Sequence, residues 1–387
     1  MNLNDTKLPP GVSSVLIIDL EAVKYNYRYI QSLAPDTEIG VSIKSDAYGL
    51  GASMIAKTLA SIGCKTFFVA TIDEGVKLRS DFPNTEIVIL NGPTANSEQL
   101  FIEHELTPTL NSLSQINTWK SLKNNNTSCK AAYLHVDTGM SRLGLSINDV
   151  SQLCSNGHTL KGLDIAVIMS HLSSADNAKS SINKQQLLLL NTLATQLSEI
   201  TGPVRVSLAN SAGSLLGANY HLDMIRSGAS IYGLKATKSS RDPIRQVVHL
   251  FAQIIQIRKV DHPSTVGYGA THKIHRPSKI ATLAIGYADG YLRAAGQLNK
   301  KDTKSLATTF INGKAAPIVG RISMDLITID VSEIPEAEPE TYVELIGNNY
   351  SVDDLADVSG TIGYEILTRL GQRHHRIYKG VDSTQCS

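Results

Sequence analysis

The chain has 387 residues, with 36 lysines and arginines, 35 aspartates and glutamates, and a formal net charge of +1. It is long enough for one large and one smaller domain, and its balanced charges, in no long run of one sign, argue against nucleic acid as a partner. Four widely spaced cysteines, the lack of a signal-peptide pattern and the lack of an apolar stretch of roughly 20 residues predict a cytoplasmic protein without a membrane partner.

From residue 16 to about residue 230, short apolar runs alternate with amphipathic stretches of helical length. The first helix is expected to begin at Asp19, a residue type that caps helices. A strand that runs into Lys44 follows, and then a helix from Ala52 that ends at Gly63. Further strands are predicted at residues 67–70, 87–90, 107–110, 133–136, 165–169, 204–208 and 224–226.

Eight alternations of strand and helix are typical of a parallel (β/α)8 barrel, whereas an open doubly wound sheet usually needs five or six strands. We therefore predict an α/β fold with a TIM-type barrel in residues 1–240, of which about the first 13 are expected to pack on the following domain. After a polar stretch, strand-like alternation and the turn signal Asn312-Gly313 predict a mainly β domain in residues 241–387.

Polar residues stand at the ends of several predicted strands. Lys44 ends the first strand, His171 follows the sixth, Ser211 follows the seventh, and Arg226 and Gly228 end the eighth. Because chemistry in this fold takes place at the carboxyl ends of the strands, we expect these residues to meet at one rim.

The segments after the last two strands, ANSAG and RSGAS, are small and rich in hydroxyl groups. Their backbone N–H groups and Ser211 can close around a phosphate. A phosphate site together with a strand-end lysine points to pyridoxal phosphate held by Lys44 as a Schiff base, since burial lowers a lysine pKa and yields a neutral amine. The alternative is a lysine that simply reaches from a strand end into solvent.

The segment VSIKSDAYGLG, residues 41–51, resembles the pyridoxal-phosphate lysine motif of bacterial alanine racemases, which are fold type III enzymes. Further segments match that family in the same order, and together they cover nearly the whole chain: DTGMSRLG, SHLSSAD, ANSAG, RSGASIYGL, VGYGATH, IGYADGY, VGRISMD and GYEILTRL. The resemblance implies an isomerase that interconverts L-alanine and D-alanine, with D-alanine used for peptidoglycan.

The resemblance also assigns the residues that bind the cofactor. It implies that Lys44 carries pyridoxal phosphate and that Arg226 faces the pyridine nitrogen. Because a guanidinium is always protonated, it gives that nitrogen no proton and keeps the carbanion short-lived. The phosphate is expected to be bound by hydroxyl and backbone amide donors of Tyr48, Ser211, Gly228, Ala229 and Tyr364.

Racemisation requires a proton to leave one face of the alpha carbon and another to arrive at the opposite face. The resemblance assigns the face used by D-alanine to Lys44 and the face used by L-alanine to Tyr268, with His171 as a neighbour that assists Tyr268. In the family the tyrosine comes from the partner chain of a head-to-tail dimer. We therefore expect a homodimer with shared sites.

Substrate binding is assigned by the same resemblance. Arg142 is expected to bind the substrate carboxylate and the phenolic oxygen of the cofactor, and the Met324 amide lies near that carboxylate. Tyr287 is expected to line the entrance together with Tyr268, Ser323 and Asp325. No metal site is expected.

Two positions depart from the family. His135 stands where many members have a lysine, which is carbamylated in some and orients the arginine, and Ser207 stands where a histidine often bonds the pyridine-facing arginine. Three alternative functions stay open: a racemase of broader or serine specificity, a decarboxylase of basic amino acids, and a non-catalytic pyridoxal-phosphate carrier. The Gly-rich phosphate loop and the late Cys-Asp pair of the decarboxylases are not found in this sequence, which argues against a decarboxylase. Carriers resemble the barrel alone, so the β domain with Tyr268 argues against a carrier.

Overall fold

The computed structural model describes residues 3, 8–125, 129–237, 243–261, 263–296 and 307–380. The chain divides into two compact units, and the boundary expected between residues 240 and 241 lies outside the described residues. The barrel unit comprises Val23–Ile231 and Lys235–Ile244, and the second unit comprises Met1–Ala22, Tyr232–Leu234 and Arg245–Ser387. No helix in the described ranges is both long and apolar enough to cross a membrane.

A closed barrel of eight parallel strands forms the centre of the barrel unit. Each strand pairs with the next along the chain, and the last pairs with the first, with Ile39 opposite Ile225. After β1 (Ser14–Asp19), which belongs to the second unit, the barrel strands are β2 (Glu38–Ser42), β3 (Thr66–Val69), β4 (Glu86–Ile89), β5 (Thr107–Leu110), β6 (Ala132–His135), β7 (Ile165–Met169), β8 (Arg205–Ser207) and β9 (Met224–Ser227). The predicted barrel and its eight strands are therefore confirmed.

Helices alternate with these strands along the chain. The first begins after Asp19, whose Oδ1 accepts a hydrogen bond from the Ala22 amide at 2.9 Å, so the predicted cap is confirmed. The helices up to β8 are Leu20–Leu33, Ala52–Ala60, Ile72–Asp81, Glu98–Glu103, Leu113–Asn125, Ile147–Ser155 and Ser181–Thr201.

The side chains inside the barrel are apolar in the middle and charged at the amino ends of the strands. The middle is an apolar cluster that includes Phe68, Tyr133 and Met224. At the amino ends of the strands, the Arg205 guanidinium pairs with the Glu38 carboxylate at 2.5 Å. Because an ion pair and apolar side chains fill this end and the middle, the opposite rim is the place where polar residues can meet a ligand.

The second unit is mainly β. Its strands are β10 (Val248–Val260), β11 (Ser264–Val266), β12 (His272–Ile274), β13 (Ser278–Leu283), β14 (Thr308–Ile311), β15 (Lys314–Pro317), β16 (Ile327–Asp330), β17 (Tyr342–Ile346) and β18 (His375–Lys379), and its helices are Val352–Ser359 and Gly363–Arg369. Its main sheet has the strand order β15-β14-β17-β10-β1-β18, with β13 paired to β10 and β16. Asn312 and Gly313, with φ of 49° and 81°, join β14 to β15, as the predicted hairpin requires.

Strand β1 does not belong to the barrel, although the sequence pattern assigned the apolar run that begins near residue 16 to it. The strand pairs antiparallel with β10 and parallel with β18. Leu3 packs in the same unit, in an apolar cluster with Val15 and Phe251. An apolar run predicts a buried strand but contains no information about which sheet receives it.

The backbone directly after Lys44 has an unusual conformation. Ser45, Asp46, Ala47 and Tyr48 all adopt left-handed helical angles, with φ between 53° and 57°. For residues with a Cβ this conformation costs roughly 1–2 kcal/mol each, so contacts with the surrounding structure must hold the turn.

Replacing the exposed Ser45 with glycine should raise the free energy of unfolding by about 0.5–1 kcal/mol, measured by urea denaturation. The relief of the left-handed penalty exceeds the entropy that glycine adds to the unfolded chain. Ser61→Gly is the control, because Ser61 has φ of −62° and gains no such relief. Equal losses of stability in both variants would contradict the assignment of strain to this turn.

Candidate active site

Charged and polar side chains gather at the carboxyl rim of the barrel. Lys44 lies just beyond β2, His171 just beyond β7, and Arg226 within β9. The charges of Arg226, Arg142 and Lys44 are all close enough to contribute to lowering the pKa of His171. The structure therefore brings together the rim residues predicted from the strand ends.

Lys44 is partly buried at this rim. Burial lowers the pKa of its amine, the positive charge of Arg142 lowers it further, and the carboxylate of Glu74 acts in the opposite direction. A larger share of Lys44 is therefore a neutral amine near pH 7 than of an exposed lysine, and a neutral amine is the form that attacks a carbonyl carbon.

Tyr48, Ser211 and Gly228 form a small cradle of donors. The Ser211 hydroxyl oxygen accepts hydrogen bonds from the amides of Gly228 at 2.9 Å and Ser230 at 3.2 Å. A Cβ on Gly228 would lie 2.5 Å from the Tyr48 hydroxyl oxygen, so only glycine permits this approach. Burial raises the pKa of Tyr48, which keeps its hydroxyl protonated and able to donate. Ala229 begins a short 3-10 helix, whose first N–H groups have no helical acceptor.

Arg226 is a buried cation, with 8% of its surface exposed. Its guanidinium donates to the Ser207 hydroxyl oxygen and to the Ser170 carbonyl oxygen. Ser207 in turn donates to the Met224 carbonyl, so its oxygen lone pairs face Arg226. Burial lowers the pKa of Arg226 to about 10, and the side chain stays charged at neutral pH. The serine at position 207 thus still bonds this arginine.

His171 stands between two donors. Its Nδ1 lies 3.4 Å from an Arg226 nitrogen, and its Nε2 lies 3.4 Å from the Asn210 amide nitrogen. Asn210 is oriented by the Gly213 amide, which donates to its Oδ1 at 2.9 Å. Burial, and next the charge of Arg226, lower the pKa of His171 to about 3. His171 is therefore neutral near pH 7.

Arg142 is exposed, on a loop shaped by Asp137. The Asp137 carboxylate accepts hydrogen bonds from the amides of Gly139 and Met140, both at 2.9 Å. No residue that the structure describes forms an ion pair with Arg142. Its cationic head is therefore available for an anionic ligand.

His135 provides no negative charge for Arg142. Its Nδ1–H donates to the Asn111 Oδ1 at 2.7 Å, while the Asn111 amide nitrogen donates to the carbonyls of Leu90 and Thr109. Burial, and next the charge of Arg226, lower the pKa of His135 to about 4, so it is neutral near pH 7. His135 therefore cannot orient Arg142 through a negative charge, as the resemblance implies for a carbamylated lysine at this position.

The remaining predicted site residues lie in the second unit, where the side chains of Tyr268 and Met324 are more than half exposed and those of Tyr287 and Tyr364 are about 40% exposed. Tyr268, with 69% of its surface exposed, begins a short 3-10 turn. The Tyr287 amide donates to the Ser323 carbonyl at 3.0 Å, which joins the loop of Tyr287 to the loop of Met324. Tyr364 lies on the helix Gly363–Arg369.

The sequence did not reveal Arg373, which connects the same two loops. Its guanidinium donates to the buried Asp289 carboxylate at 2.6 Å and to the Asp325 carboxylate at 2.8 Å. Asp289 also accepts a hydrogen bond from the Gly286 amide. Nothing in the local sequence distinguishes this arginine from the other basic residues near the end of the chain.

Gln186 was also missed, although the sequence holds a signal for it. It is 1% exposed, and its amide nitrogen donates to the His171 carbonyl at 2.9 Å and to the Thr138 hydroxyl at 3.1 Å. Gln186 shares helical spacing with the buried Leu190 and Leu193. A glutamine on an apolar stripe is a buried polar group that needs partners, which could have indicated its role.

The two neutral histidines predict a pH-dependent stability. Because their pKa values are lower in the folded state than the ordinary 6.5, the unfolded chain binds more protons below that pH. The free energy of unfolding should therefore be unaffected by them above pH 6.5 and should fall below it, by about 1.4 kcal/mol per pH unit for each histidine.

Urea denaturation at pH 7, 6 and 5 checks this expectation. His135→Asn keeps a donor near the Nδ1 position but cannot titrate, so it should remove about half of the combined pH slope of the two histidines. An unchanged slope in this variant would show that His135 is not held neutral in the folded state.

The chain matches two protein-family models that together cover most of its length. The family model described as alanine racemase, N-terminal domain, matches residues 18–236, and that described as alanine racemase, C-terminal domain, matches residues 247–378. Among curated relatives, an alanine racemase of Rhodospirillum rubrum is 39% identical, over 95% of this chain and 96% of that protein. An alanine racemase of Rickettsia bellii is 42% identical, over 90% of this chain and 83% of that protein.

A solved structure agrees with these relatives. The crystal structure of alanine racemase from Bartonella henselae with covalently bound pyridoxal phosphate has a TM-score of 0.88 and 36% identity, and covers 95% of this chain and 99% of that one. The matched motifs, both domain models and relatives near 40% identity over most of the chain lead to one conclusion. The chain belongs to the alanine racemase family.

Proposed function

We propose that the protein interconverts L-alanine and D-alanine with pyridoxal phosphate as cofactor. The observation that carries this proposal is a partly buried lysine, Lys44, at the barrel rim beside a cradle of donors on Tyr48, Ser211 and Gly228. The related Bartonella henselae structure is described as containing covalently bound pyridoxal phosphate.

The residues at the rim fit this cofactor. A phosphate needs several N–H and O–H donors. We assign this role to the hydroxyls of Tyr48 and Ser211, to the Ala229 amide, and to the Gly228 amide, which would exchange its hydrogen bond to Ser211 for one to the phosphate. We assign a further phosphate contact to Tyr364. Arg226 is a buried cation whose hydrogen bonds, within the part of the chain that the structure describes, go to Ser207, Ser170 and His171 and to no carboxylate, which suits a ring nitrogen that must stay unprotonated.

When bound, pyridoxal phosphate supplies an aldehyde that links to an amine and a conjugated ring that makes the hydrogen on the alpha carbon acidic. Lys44 would hold the cofactor, and as a free neutral amine it would accept a proton from the alpha carbon of D-alanine or return one. Tyr268 does the same on the opposite face, for L-alanine, with His171 as its assisting neighbour.

The substrate carboxylate needs cationic and N–H partners. Arg142 is exposed and has no ion-pair partner among the residues that the structure describes, and it supplies a bidentate cation that also reaches the phenolic oxygen of the cofactor. The Met324 amide supplies an N–H. Tyr287 lines the entrance. Because Arg373 links the loops of Tyr287 and Met324 through Asp289 and Asp325, the entrance residues form one connected structure.

We further propose that two copies form a head-to-tail homodimer in the cytoplasm, so that Tyr268 of one copy serves Lys44 of the other. Tyr268 is 69% exposed in the single chain, as a residue that completes another copy's site must be. The D-alanine produced would supply peptidoglycan synthesis.

The deciding experiment incubates purified protein with L-alanine in deuterated water and follows optical rotation and deuterium at the alpha carbon. A racemase loses rotation while it gains deuterium, whereas a cofactor carrier changes neither. Parallel incubations with L-serine and L-lysine test breadth: loss of rotation with serine indicates a broader racemase, and carbon dioxide release from lysine indicates a decarboxylase. Absence of exchange with alanine overturns the proposal.

Gly228→Ala should lower the affinity for pyridoxal phosphate by about tenfold or more, because the new methyl group displaces the Tyr48 hydroxyl. Affinity is measured by titrating cofactor-free protein with pyridoxal phosphate. Gly157→Ala is the matched control, since a Cβ there meets no atom closer than 3.8 Å. Unchanged affinity in Gly228→Ala would remove Gly228 from the phosphate site.

The two proposed bases should give different phenotypes. Lys44→Ala should lose the visible absorbance of covalently bound cofactor. Tyr268→Phe should keep that absorbance but lose about 10²–10⁴-fold in kcat for L-alanine, the usual contribution of a general acid–base group. A Tyr268→Phe variant with wild-type kcat would exclude the phenol as a base.

Mixing these two inactive variants tests whether sites are shared between chains. After subunit exchange, half of the dimers contain one copy of each variant and one intact site, so activity should recover to about a quarter of the wild-type value. No recovery after exchange, verified by native mass spectrometry, would contradict the shared-site dimer.

A further inference from the structure

We propose that Glu74 is a positioning residue for Lys44, because its carboxylate holds the left-handed turn that begins directly after the lysine. The inference rests on the proposed function, which gives this turn the task of presenting both Lys44 and Tyr48 to the cofactor. Glu74 itself touches backbone amides and is assigned no contact with substrate or cofactor.

The Glu74 carboxylate joins two loops of the barrel rim. Its Oε1 accepts a hydrogen bond from the Ser45 amide at 2.6 Å, in the turn after β2. Its Oε2 accepts hydrogen bonds from the amides of Ala70 at 2.8 Å and Thr71 at 3.2 Å, in the loop after β3. One side chain thus fixes the start of the left-handed turn relative to the neighbouring strand.

The turn needs such support at its first residue. Within it, the Ala47 amide bonds the Ile43 carbonyl at 2.8 Å, and the Gly51 amide bonds the Asp46 carbonyl at 2.9 Å. The Ser45 amide bonds Glu74 instead. Because four successive residues with side chains adopt an unfavourable conformation here, loss of this bond should release the turn toward ordinary backbone angles.

Release of the turn would affect both ends of the cofactor site. Lys44 precedes the turn and Tyr48 is its last left-handed residue, so their separation depends on its conformation. The negative charge of Glu74 also raises the pKa of Lys44, against the lowering by burial and by Arg142. A misplacement of about 1 Å in a supporting element is enough to cost a large part of catalytic rate.

The test compares Glu74→Ala with Thr71→Ala. Thr71 forms the other half of the same helix cap, since its hydroxyl oxygen accepts a hydrogen bond from the Glu74 amide. Its side chain makes no hydrogen bond to the left-handed turn in the part of the chain that the structure describes. Both variants therefore weaken the start of the helix Ile72–Asp81, and only Glu74→Ala removes the bond to Ser45. Glu74→Gln is a milder second variant, which keeps the side-chain length if the alanine variant fails to fold.

The first readout is amide hydrogen exchange at residues 45–49 in cofactor-free protein. Glu74→Ala should speed this exchange by about tenfold or more, as expected for loss of a hydrogen bond to a charged acceptor, with a smaller increase in Glu74→Gln. Thr71→Ala should leave exchange at these residues unchanged. Equal exchange in wild type and both Glu74 variants, or an equal increase in Thr71→Ala, would overturn the proposal.

The second readout is the affinity for pyridoxal phosphate and the separate values of kcat and KM for alanine. Glu74→Ala should weaken cofactor binding about tenfold. It should also lower kcat more than it raises KM, because it displaces Lys44 and not Arg142, which binds the substrate carboxylate. Wild-type values in Glu74→Ala would also overturn the proposal. The exchange readout needs no enzymatic activity, so a protein that fails to racemise alanine would disprove the proposed function without deciding the role of Glu74.

Discussion

Closure of the barrel decides where the polar side chains of its strands meet. Parallel pairing of β9 with β2 completes a ring in which all eight carboxyl ends face the same side. Residues as distant in sequence as Lys44 and Arg226 therefore share one rim. The amino end is occupied by the Glu38–Arg205 pair, and the middle by apolar side chains, which leaves that rim for chemistry.

The pKa values of several basic rim residues are lowered because these side chains are buried there together, with few carboxylates nearby. Burial lowers the pKa values of Lys44, His171 and Arg226, and the neighbouring positive charges lower those of Lys44 and His171 further. The His171 imidazole is thereby kept neutral and the Arg226 guanidinium stays charged, and a larger share of the Lys44 amine is neutral than in an exposed lysine. Such a rim is ready for a dianionic phosphate and a carboxylate, and a base that acts near neutral pH needs a lowered amine pKa.

Much of the fold was predictable from the sequence, because barrel strands buried on both faces read as apolar runs, as at residues 87–89 and 165–169. The position of the rim residues followed from the strand ends, whereas the roles proposed for Tyr268 and Arg142 come from the family motifs and stay predictions. The left-handed turn was not predictable, since tertiary contacts override the preference of Ser45, Asp46 and their neighbours. The partner of β1 and the bonds of Glu74 depend on long-range packing that local patterns do not contain.

In the proposed mechanism, an amine and a phenol act on opposite faces of one carbon atom. Its most direct test is the exchange of the alpha hydrogen in deuterated water by Tyr268→Phe, with each alanine isomer separately and followed by proton NMR. We expect this variant still to exchange the hydrogen of D-alanine, through Lys44, while that of L-alanine stays in place. Exchange from L-alanine at the wild-type rate would contradict this mechanism.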